Sequence, residues 1–202
     1  MTTPLRLVLA TRNRHKVEEI STLLTGLPVE ILSFHDMPGL PEVVEDGATL
    51  EENAIKKAEA VARATGLPSL ADDTGLEVEA LDGAPGVFSA RYAGPEGDYE
   101  ANNTRLLAEL GDTPAAARRA RFRCVVALAM PGRETRVVEG RTEGTIIETP
   151  RGSSGFGYDP LFVPDGHERT YAEMTGDEKN AISHRGKAVR AGIRLVRELL
   201  VL

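Results

Sequence analysis

Apolar residues recur along the chain with two different spacings, and segments of the two kinds alternate. Residues 5–10, LRLVLA, form a nearly continuous apolar run of the length expected for a buried strand. The segment from near His15 to Leu24 instead places Val17 and Ile20 on one face of a helix. The chain is therefore predicted to open with a strand, the short loop TRNR and a helix.

Capping residues and apolar spacing predict the next elements. Thr49 followed by Glu52 is a capping-box signature, and the helix that it starts is predicted to end near Gly66. LPSLADD indicates a second buried strand that ends in two adjacent acids, and TGLEVEAL alternates like a separate, half-exposed strand. Another helix is predicted over residues 99–110, closed by Gly111.

The second half of the chain begins with a long strand pair and ends with a helix. Residues 120–130 and 134–147 are rich in Val, Ile and Thr and are separated by Pro and Gly, which predicts antiparallel neighbours. GSSGFGYDP, at 152–160, is too rich in glycine for regular structure. Residues 186–202 have a strongly amphipathic helical pattern. Together these elements indicate an α/β fold with a mixed sheet.

Composition narrows the function classes. The 202 residues predict a single globular domain, and the lack of a long apolar stretch leads us to expect a soluble, cytoplasmic protein. The single cysteine, Cys124, lies in an apolar run, so it is predicted to be a small buried residue without a disulfide. The net charge of −7 argues against a protein that coats nucleic acid. A small anionic ligand would need a local cluster of cations or a bridging metal.

The first group of candidate residues lies where the first strand turns into the first helix. In ATRNRHK, Thr11, Asn13 and Lys16 stand at a helix N-terminus, whose backbone N–H groups and positive dipole end can receive phosphate. Lys16 would add a formal charge. A simpler interpretation is also open, in which Asn13 only caps the helix and Lys16 is solvated.

The second group is acidic. Glu45 and Asp46 precede the second helix, and Asp72 and Asp73 stand at the apparent end of a buried strand. Carboxylates suit Mg²⁺, which commonly uses one or two of them and completes its shell with water and substrate phosphate. The alternative is that DDTG is an ordinary turn, in which acids are common.

The third group is basic and aromatic. Glycines beside Phe156 and Tyr158 permit close approach of a flat ligand, on which an aromatic ring can stack. Lys179, His184 and Arg185 follow, the last two at the start of the terminal helix, where the dipole disfavours cations unless a ligand compensates. The alternative is a solvated basic turn beside a core aromatic residue. Together the three groups supply what a magnesium triphosphate requires.

At these residues the sequence resembles the inosine triphosphate pyrophosphatase family, also called the Ham1-like family. The matching motifs are, in order, ATRNRHK, EDGATLEENAIKKA, ADDTGLEVEALDGAPGVFSARYAG, FGYDPLF and EKNAISHRGKA, and they span nearly the whole chain. Arg12 stands where the family has glycine, and His15 precedes Lys16, but the spacing of the first motif is kept.

The resemblance implies roles for individual residues. Asp73 would be the proton acceptor and a metal-side carboxylate, Glu45 a second metal ligand and Asp72 a supporting acid at the metal. It implies one Mg²⁺ per subunit, and Mn²⁺ suits the same oxygen ligands. It also implies a mixed sheet with two lobes around a central substrate cleft, and a homodimer. The substrate contacts that it implies are Thr11, Arg12, Asn13, Arg14, His15, Lys16, Thr74, Phe156, Gly157, Tyr158, Asp159, Lys179, His184 and Arg185.

The activity implied is hydrolysis of deaminated purine triphosphates such as dITP, ITP and XTP to a monophosphate and pyrophosphate, which would keep them out of DNA and RNA. A carboxylate would orient or deprotonate a water aimed at the α-phosphorus while Mg²⁺ neutralises the phosphates. One alternative is a Maf-like pyrophosphatase with another base preference, against which FGYD and the His184–Arg185 pair argue. Another is a regulator that binds nucleotides without hydrolysis, against which the retained carboxylates argue.

Overall fold

Strands and helices alternate through most of the chain. A computed structural model describes residues 4–37, 39–94 and 97–200. The strands are β1 (Leu5–Leu9), β2 (Val29–Leu32), β3 (Ser69–Val78), β4 (Pro85–Gly86), β5 (Arg119–Ala129), β6 (Arg136–Ile146) and β7 (Phe162–Pro164). The helices are α1 (Arg14–Leu24), α2 (Leu50–Thr65), α3 (Tyr99–Leu110), α4 (Gly176–Ile182) and α5 (His184–Leu200). In the ranges described, no helix is both long and apolar enough to cross a membrane.

The strands form a mixed sheet in the order β2-β1-β3-β5-β6-β7, with β4 beside β3. β1 is parallel to β2, with Leu5 opposite Val29, and parallel to β3, with Val8 opposite Ser69. β4 is antiparallel to β3, and β7 is antiparallel to β6. The long strands β5 and β6 are neighbours, as predicted. The prediction of an α/β fold with a mixed sheet is confirmed.

The chain divides into two compact units, each assembled from separate stretches. The first unit consists of the described parts of Met1–Asp73, Cys124–Gly140 and Gly186–Leu202. Its core is formed by β1, α1, α5 and the unit's parts of β3 and β5, which pack apolar side chains together. These core residues are Leu7, Leu9, Ile20, Leu24, Leu70, Cys124, Val126, Leu128, Ala188, Val189, Leu195 and Val196.

The second unit consists of the described parts of Thr74–Arg123 and Arg141–Arg185. Its core is richer in aromatic residues, and it includes a set of ring contacts around Phe122, Phe162 and Tyr171. The core residues are Leu76, Val78, Tyr92, Leu106, Leu110, Ala120, Phe122, Ile146, Tyr158, Leu161, Phe162, Tyr171 and Met174.

Two helices begin and end where their capping residues predict. Thr49 caps α2 by accepting a hydrogen bond from the backbone N–H of Glu52 at 3.1 Å. α2 ends at Gly66, whose φ of 69° lies in the left-handed region that glycine adopts without strain. α3 spans Tyr99–Leu110 and is closed by Gly111, as predicted.

β3 differs from the prediction in a way that changes the setting of the two acids. The sequence predicted two strands with Asp72 and Asp73 at the end of the first, but Ser69–Val78 is one strand of 10 residues with both acids inside it. The interpretation of DDTG as a turn is therefore wrong. Leu70 before the acids and Leu76 after them are both buried, so core packing on both sides of the acids outweighs the turn tendency of a Thr-Gly pair.

The C-terminal part contains one helix that the sequence analysis did not predict. Residues 151–161 contain neither helix nor strand, as their glycine content predicts. α4 follows after Thr175, which caps it in a capping box with Glu178. α5 begins at His184, two residues before the predicted start, and residues 201–202 of the predicted helix lie outside the described residues.

Candidate active site

Side chains hold the backbone of the turn between β1 and α1. Oδ1 of Asn13 accepts hydrogen bonds from the backbone N–H groups of His15 at 3.0 Å and Lys16 at 3.3 Å. Oγ1 of Thr11 accepts one from the N–H of Asn13 at 3.2 Å. Asn13 therefore caps α1, which the simpler interpretation of this motif expected. Two backbone amides at the N-terminus of α1 thus already have a hydrogen-bond partner.

The cations of this turn differ in their surroundings. The guanidinium of Arg12 lies over the ring of Phe34, with Cζ 4.7 Å from the ring centroid, so the residue that replaces the family's glycine stacks on a neighbouring aromatic residue. Arg14 and His15 begin α1 and are exposed. The side chain of Lys16 is only 15% exposed. Lys16 therefore points away from bulk solvent.

Lys16 is paired with Asp72. Its Nζ lies 3.0 Å from Oδ2 of Asp72, whose side chain is completely buried. The thiol of Cys124, which is buried as predicted, lies 3.8 Å from the same oxygen. The alternative in which Lys16 is simply solvated is therefore wrong. The charge of the buried Asp72 is therefore balanced by Lys16.

Lys57 of α2 joins Glu45 to Asp73. Its Nζ lies 3.0 Å from Oε2 of Glu45 and 3.1 Å from Oδ1 of Asp73, and the residue is 8% exposed. Successive strand residues point to opposite faces of a sheet, which explains why the adjacent acids of β3 have different lysine partners. We call Lys16, Glu45, Lys57, Asp72 and Asp73 the carboxylate–lysine cluster.

The two acids beside Lys57 have pKa values that move in opposite directions. Burial raises the pKa of Asp73, and the charge of Glu45 adds to this, against the lowering effect of Lys57 and Lys16. Burial would also raise the pKa of Glu45, but the charge and hydrogen bond of Lys57, together with Lys16, hold it below its ordinary value. Burial opposes the charge of Lys57, yet the neighbouring acids raise its pKa. The cluster therefore contains a charged lysine and one carboxylate, Asp73, of increased basicity.

The start of α2 fixes the chain segment that carries Glu45. The N–H of Gly47 donates to Oδ1 of Asn53 at 2.8 Å, and the N–H of Ala48 donates to Oε2 of Glu52 at 2.7 Å. A Cβ at Gly47 would lie 2.7 Å from that Asn53 oxygen and 2.9 Å from Cβ of Glu52. Only glycine fits this position without displacing its neighbours. The backbone two residues after Glu45 is thus held against the helix.

The carboxylate–lysine cluster offers oxygen ligands for a divalent cation. Oδ2 of Asp73 is buried and has no hydrogen-bond partner among the described residues. Asp73 and Glu45 together match the one or two carboxylates that Mg²⁺ takes from a protein. Within the described ranges, no three His, Cys, Asp or Glu side chains are gathered as a metal centre, and Asp72 pairs with Lys16 instead. An ion held here would therefore need further oxygens from water or a ligand.

Asp159 organises the glycine-rich loop that contains Phe156. Its Oδ2 accepts hydrogen bonds from the backbone N–H of Phe156 at 2.8 Å and from Nζ of Lys179 at 2.6 Å. Asp159 and Lys179 are both at least 95% buried. A Cβ at Gly155 would lie 2.1 Å from the same oxygen, so glycine is required there. The loop conformation depends on this buried ion pair.

Two cations lie close to the ring of Phe156. Nζ of Lys179 is 4.9 Å and Cζ of Arg185 is 5.2 Å from its centroid, and the ring of Tyr99 is 5.8 Å away. Arg185 is 2% exposed, and its Nη2 donates to Oγ1 of Thr74 at 3.2 Å. The structure thus gathers four of the predicted substrate contacts, namely Thr74, Phe156, Lys179 and Arg185. With Asp159 and His184, these residues form what we call the aromatic–basic cluster.

The remaining predicted contacts of this loop are placed differently. The side chain of Tyr158 is 4% exposed and its hydroxyl donates to the carbonyl oxygen of Ser89 at 2.9 Å, so it is a core residue. Burial raises its pKa above the ordinary value for tyrosine. The carbonyl oxygen of Gly157 accepts from Nδ2 of Asn103 at 3.0 Å. His184 is 2% exposed and packs among aromatic rings.

Lys57 and Asn53 were not among the site residues predicted from the sequence, although the position of each on its helix is unusual. They lie four residues apart on α2, next to Ala54, Ala58 and Val61, which form its apolar face. Lysine and asparagine are rarely buried without a partner. A lysine and an amide on the apolar side of an amphipathic helix could therefore have been interpreted as groups that reach buried acids or backbone.

Comparison with known proteins gives a consistent result. The model of the Ham1 family matches residues 7–194. The chain is 54% identical over 184 residues to a dITP/XTP pyrophosphatase from Geobacter sulfurreducens, covering 91% of this chain and 92% of that protein. It is 53% identical to a dITP/XTP pyrophosphatase from Streptomyces coelicolor, covering 96% and 98%. A HAM1 protein from Coxiella burnetii superimposes with a TM-score of 0.87 at 42% identity, over 96% of this chain and 99% of that one.

Proposed function

Because the chain belongs to the Ham1 family, we propose that it is a nucleoside triphosphate pyrophosphatase that acts on deaminated purine nucleotides such as dITP, ITP and XTP. The observation that carries this proposal is a match over nearly full length, with about half of the residues identical, to proteins named dITP/XTP pyrophosphatase. The products are the nucleoside monophosphate and pyrophosphate. Hydrolysis removes these nucleotides before polymerases can incorporate them into DNA and RNA.

In this proposal the carboxylate–lysine cluster and the adjoining turn receive the triphosphate. Lys16 and Lys57 supply positive charge, and Thr11 with the exposed Arg14 and His15 supplies further donors. Both lysines are already held by acids at about 3 Å, so their ammonium groups are positioned before a substrate arrives. Charge that is fixed in advance stabilises a developing negative charge without a reorganisation cost at the moment of reaction.

Asp73 acts on the water in this proposal. Its pKa is raised by burial, so it accepts a proton more readily than an exposed aspartate does. Lys57, which donates to Oδ1, fixes the orientation of the carboxylate that accepts from the water. The water attacks the α-phosphorus, its proton passes to Asp73, and the bond from the α-phosphorus to the bridging oxygen breaks. Pyrophosphate is the leaving group.

Asp73 and Glu45 would hold the divalent cation, for which we propose Mg²⁺, with Mn²⁺ as a substitute that suits the same oxygens. When bound, such an ion supplies charge neutralisation of the phosphates and orientation of the leaving group. The supporting observation is the donor set of two carboxylates, one with a buried oxygen that has no partner among the described residues. Asp72 supports this arrangement through Lys16 and contributes no separate ligand in this proposal.

The aromatic–basic cluster selects the base. Hypoxanthine and xanthine carry an oxygen acceptor at purine position 6, whereas adenine carries an amino donor. The guanidinium of Arg185 has donors only, so it pairs with the oxygen but faces the adenine amino group donor to donor. Burial of Arg185 makes this mismatch costly. Phe156 provides the surface on which the base stacks, and Gly157 permits close approach of the loop backbone.

We propose that the enzyme is cytoplasmic. We also propose that it is a homodimer, because its resemblance to the family implies this assembly. Light scattering of the purified protein tests the assembly. A mass twice that of one chain is expected, and a monomer across the accessible concentration range would contradict it.

Hydrolysis in water enriched in ¹⁸O tests the proposed reaction. Attack at the α-phosphorus places the label in deoxyinosine monophosphate and leaves pyrophosphate unlabelled. Label in inorganic phosphate or in pyrophosphate would show attack at another phosphorus and would contradict the mechanism. Stable binding of dITP without turnover in the presence of Mg²⁺ would instead favour a nucleotide-binding regulator.

A further inference from the structure

The imidazole ring of His184 lies flat on the ring of Phe122. Their centroids are 4.4 Å apart and the planes differ by 13°. Phe122 is 5% exposed and His184 is 2% exposed, so the stacked pair is enclosed. Phe122 lies on β5, far along the chain from the base-recognition motifs. Neither the resemblance nor the proposed function gives it a role.

Phe122 is itself held by other aromatic residues. The ring of Phe162 meets it edge-on, with centroids 4.8 Å apart and planes at 67°, and Tyr171 lies 6.1 Å away at 29°. Phe162 and Tyr171 also contact each other at 5.1 Å. Such packing fixes the plane of Phe122. The plane of the imidazole is then fixed by the face against which it lies.

The orientation of this imidazole decides which groups a base can present to it. A neutral histidine has one nitrogen that donates and one that accepts. If the ring could rotate about its Cβ–Cγ bond, its hydrogen bond to the oxygen at purine position 6 would lose its alignment. Rotation out of the present plane would push the ring edge into Phe122, because only 4.4 Å separates the two centroids. A ring fixed in this plane therefore keeps its donor aligned with the 6-oxygen, which a hydrogen bond requires.

We infer that Phe122 is a positioning residue for base selection, which acts by holding the His184 ring in the plane that favours a 6-oxo purine over a 6-amino purine. This inference rests on the proposed function, in which His184 and Arg185 contact the base. Phe122 touches neither substrate nor metal in this account. Its effect passes through His184 alone.

The test compares kcat/KM for dITP and dATP in Phe122→Leu and in wild type. The ratio of the two values on one preparation is independent of the fraction of active enzyme, so a loss of stability alone leaves it unchanged. The ratio is expected to fall at least about fivefold, which corresponds to the lower end of the cost of one mismatched buried polar group. Phe122→Met, which also lacks a flat face, is measured in parallel in case the leucine variant folds poorly.

Leu106→Ala is the matched control. Leu106 is a fully buried residue of the same core, but it lies on α3 and takes no part in the ring contacts that hold Phe122 and His184. We expect this variant to lose stability but to keep the dITP to dATP ratio. Equal loss of selectivity in the Phe122 and Leu106 variants would overturn the inference, because general loosening of the core would then explain the effect.

His184→Ala separates failure of the inference from failure of the proposed function. If His184→Ala lowers the ratio while both Phe122 variants keep it, the positioning role of Phe122 is wrong and the proposed base recognition stands. If His184→Ala keeps the ratio, His184 does not select the base, and the inference fails with that assignment. If wild type itself shows no preference for dITP over dATP, the proposed function fails.

Discussion

Lys57 lies between Glu45, whose side chain is partly exposed, and Asp73, whose side chain is buried. Taking an unpaired carboxylate out of water is costly, and Lys57 at 3.0 and 3.1 Å offsets that cost for both. Only one of the two acids ends with a raised pKa, because Asp73 is more deeply buried than Glu45. Acid–base roles in active sites often arise from such a difference between neighbouring carboxylates.

Asp73→Asn should abolish turnover while the protein remains folded. The amide keeps the shape of the side chain but cannot accept the proton of the attacking water, and it removes the charge that would face the cation. We expect kcat to fall by a factor of about 10² or more, the usual contribution of a general base. Initial rates at saturating dITP and Mg²⁺ measure this, with circular dichroism as the check on folding. A rate near that of wild type would exclude Asp73 from the catalytic role.

Arg185→Met should remove much of the preference for dITP over dATP. Methionine fills a similar buried volume, but it cannot donate to the oxygen at purine position 6. The ratio of kcat/KM values should fall roughly tenfold, mainly through a lower efficiency with dITP. Phe156→Ala is the contrasting variant, because loss of the stacking surface should weaken both substrates alike. A full dITP to dATP ratio in Arg185→Met would place base selection elsewhere.

At the scale of elements, the first turns of α2 position the segment that carries Glu45, the proposed second metal ligand. Gly47→Ala tests this, because a Cβ there would approach Oδ1 of Asn53 to 2.7 Å and displace the segment. We expect the Mg²⁺ concentration that gives half-maximal activity to rise several-fold, because one proposed metal ligand would be displaced. The readouts are the Mg²⁺ dependence of the rate and Mn²⁺ binding followed by electron paramagnetic resonance.

Thr49→Ala is the control for Gly47→Ala. It removes the N-cap of the same helix, which costs about 0.5–2 kcal/mol of stability, but leaves the hydrogen bond between Gly47 and Asn53 in place. Its Mg²⁺ requirement should stay close to that of wild type. A greater change in Thr49→Ala than in Gly47→Ala would show that helix stability, and not the position of Glu45, controls the metal.

Helix α4, which carries Lys179, is stabilised at its start by Glu178. Hydrogen bonds from Arg169 and from the backbone of Thr175 lower the pKa of Glu178 to about 2. A folded-state pKa below the ordinary 4.5 means that the contribution to stability is present above pH 4.5 and disappears as the pH falls towards 2. The Tm difference between wild type and Glu178→Gln should therefore shrink between these two pH values. A difference that is constant with pH would contradict a role for the charge.

Elements with strong local signals could be predicted from the sequence, and those set by packing could not. The caps of α2 and the glycine after α3 fixed those boundaries, because capping is a local interaction. The continuity of β3 through Asp72 and Asp73 depends on buried neighbours on both sides, which no local pattern reveals. The partners of Lys16 and Lys57 were missed for the same reason. Stacking of Phe122 on His184 joins residues 62 positions apart in the sequence.

At the scale of the whole molecule, the two candidate clusters belong to different units. The first unit holds the carboxylate–lysine cluster, and the second holds the aromatic–basic cluster. The chain passes from the first unit to the second between Asp73 and Thr74 of β3. Asp73 belongs to the carboxylate–lysine cluster, and Thr74 belongs to the aromatic–basic cluster.

The profile of pyrophosphate release across the purine and pyrimidine triphosphates tests the central claim most directly. Purified protein with Mg²⁺ is assayed with dITP, XTP, dATP, dGTP, dTTP and UTP, and kcat/KM is determined for each. The account predicts that dITP and XTP exceed dATP by a factor of about 10² or more, from two donor mismatches at the base. Comparable efficiency with dATP, or a preference for dTTP or UTP, would contradict it.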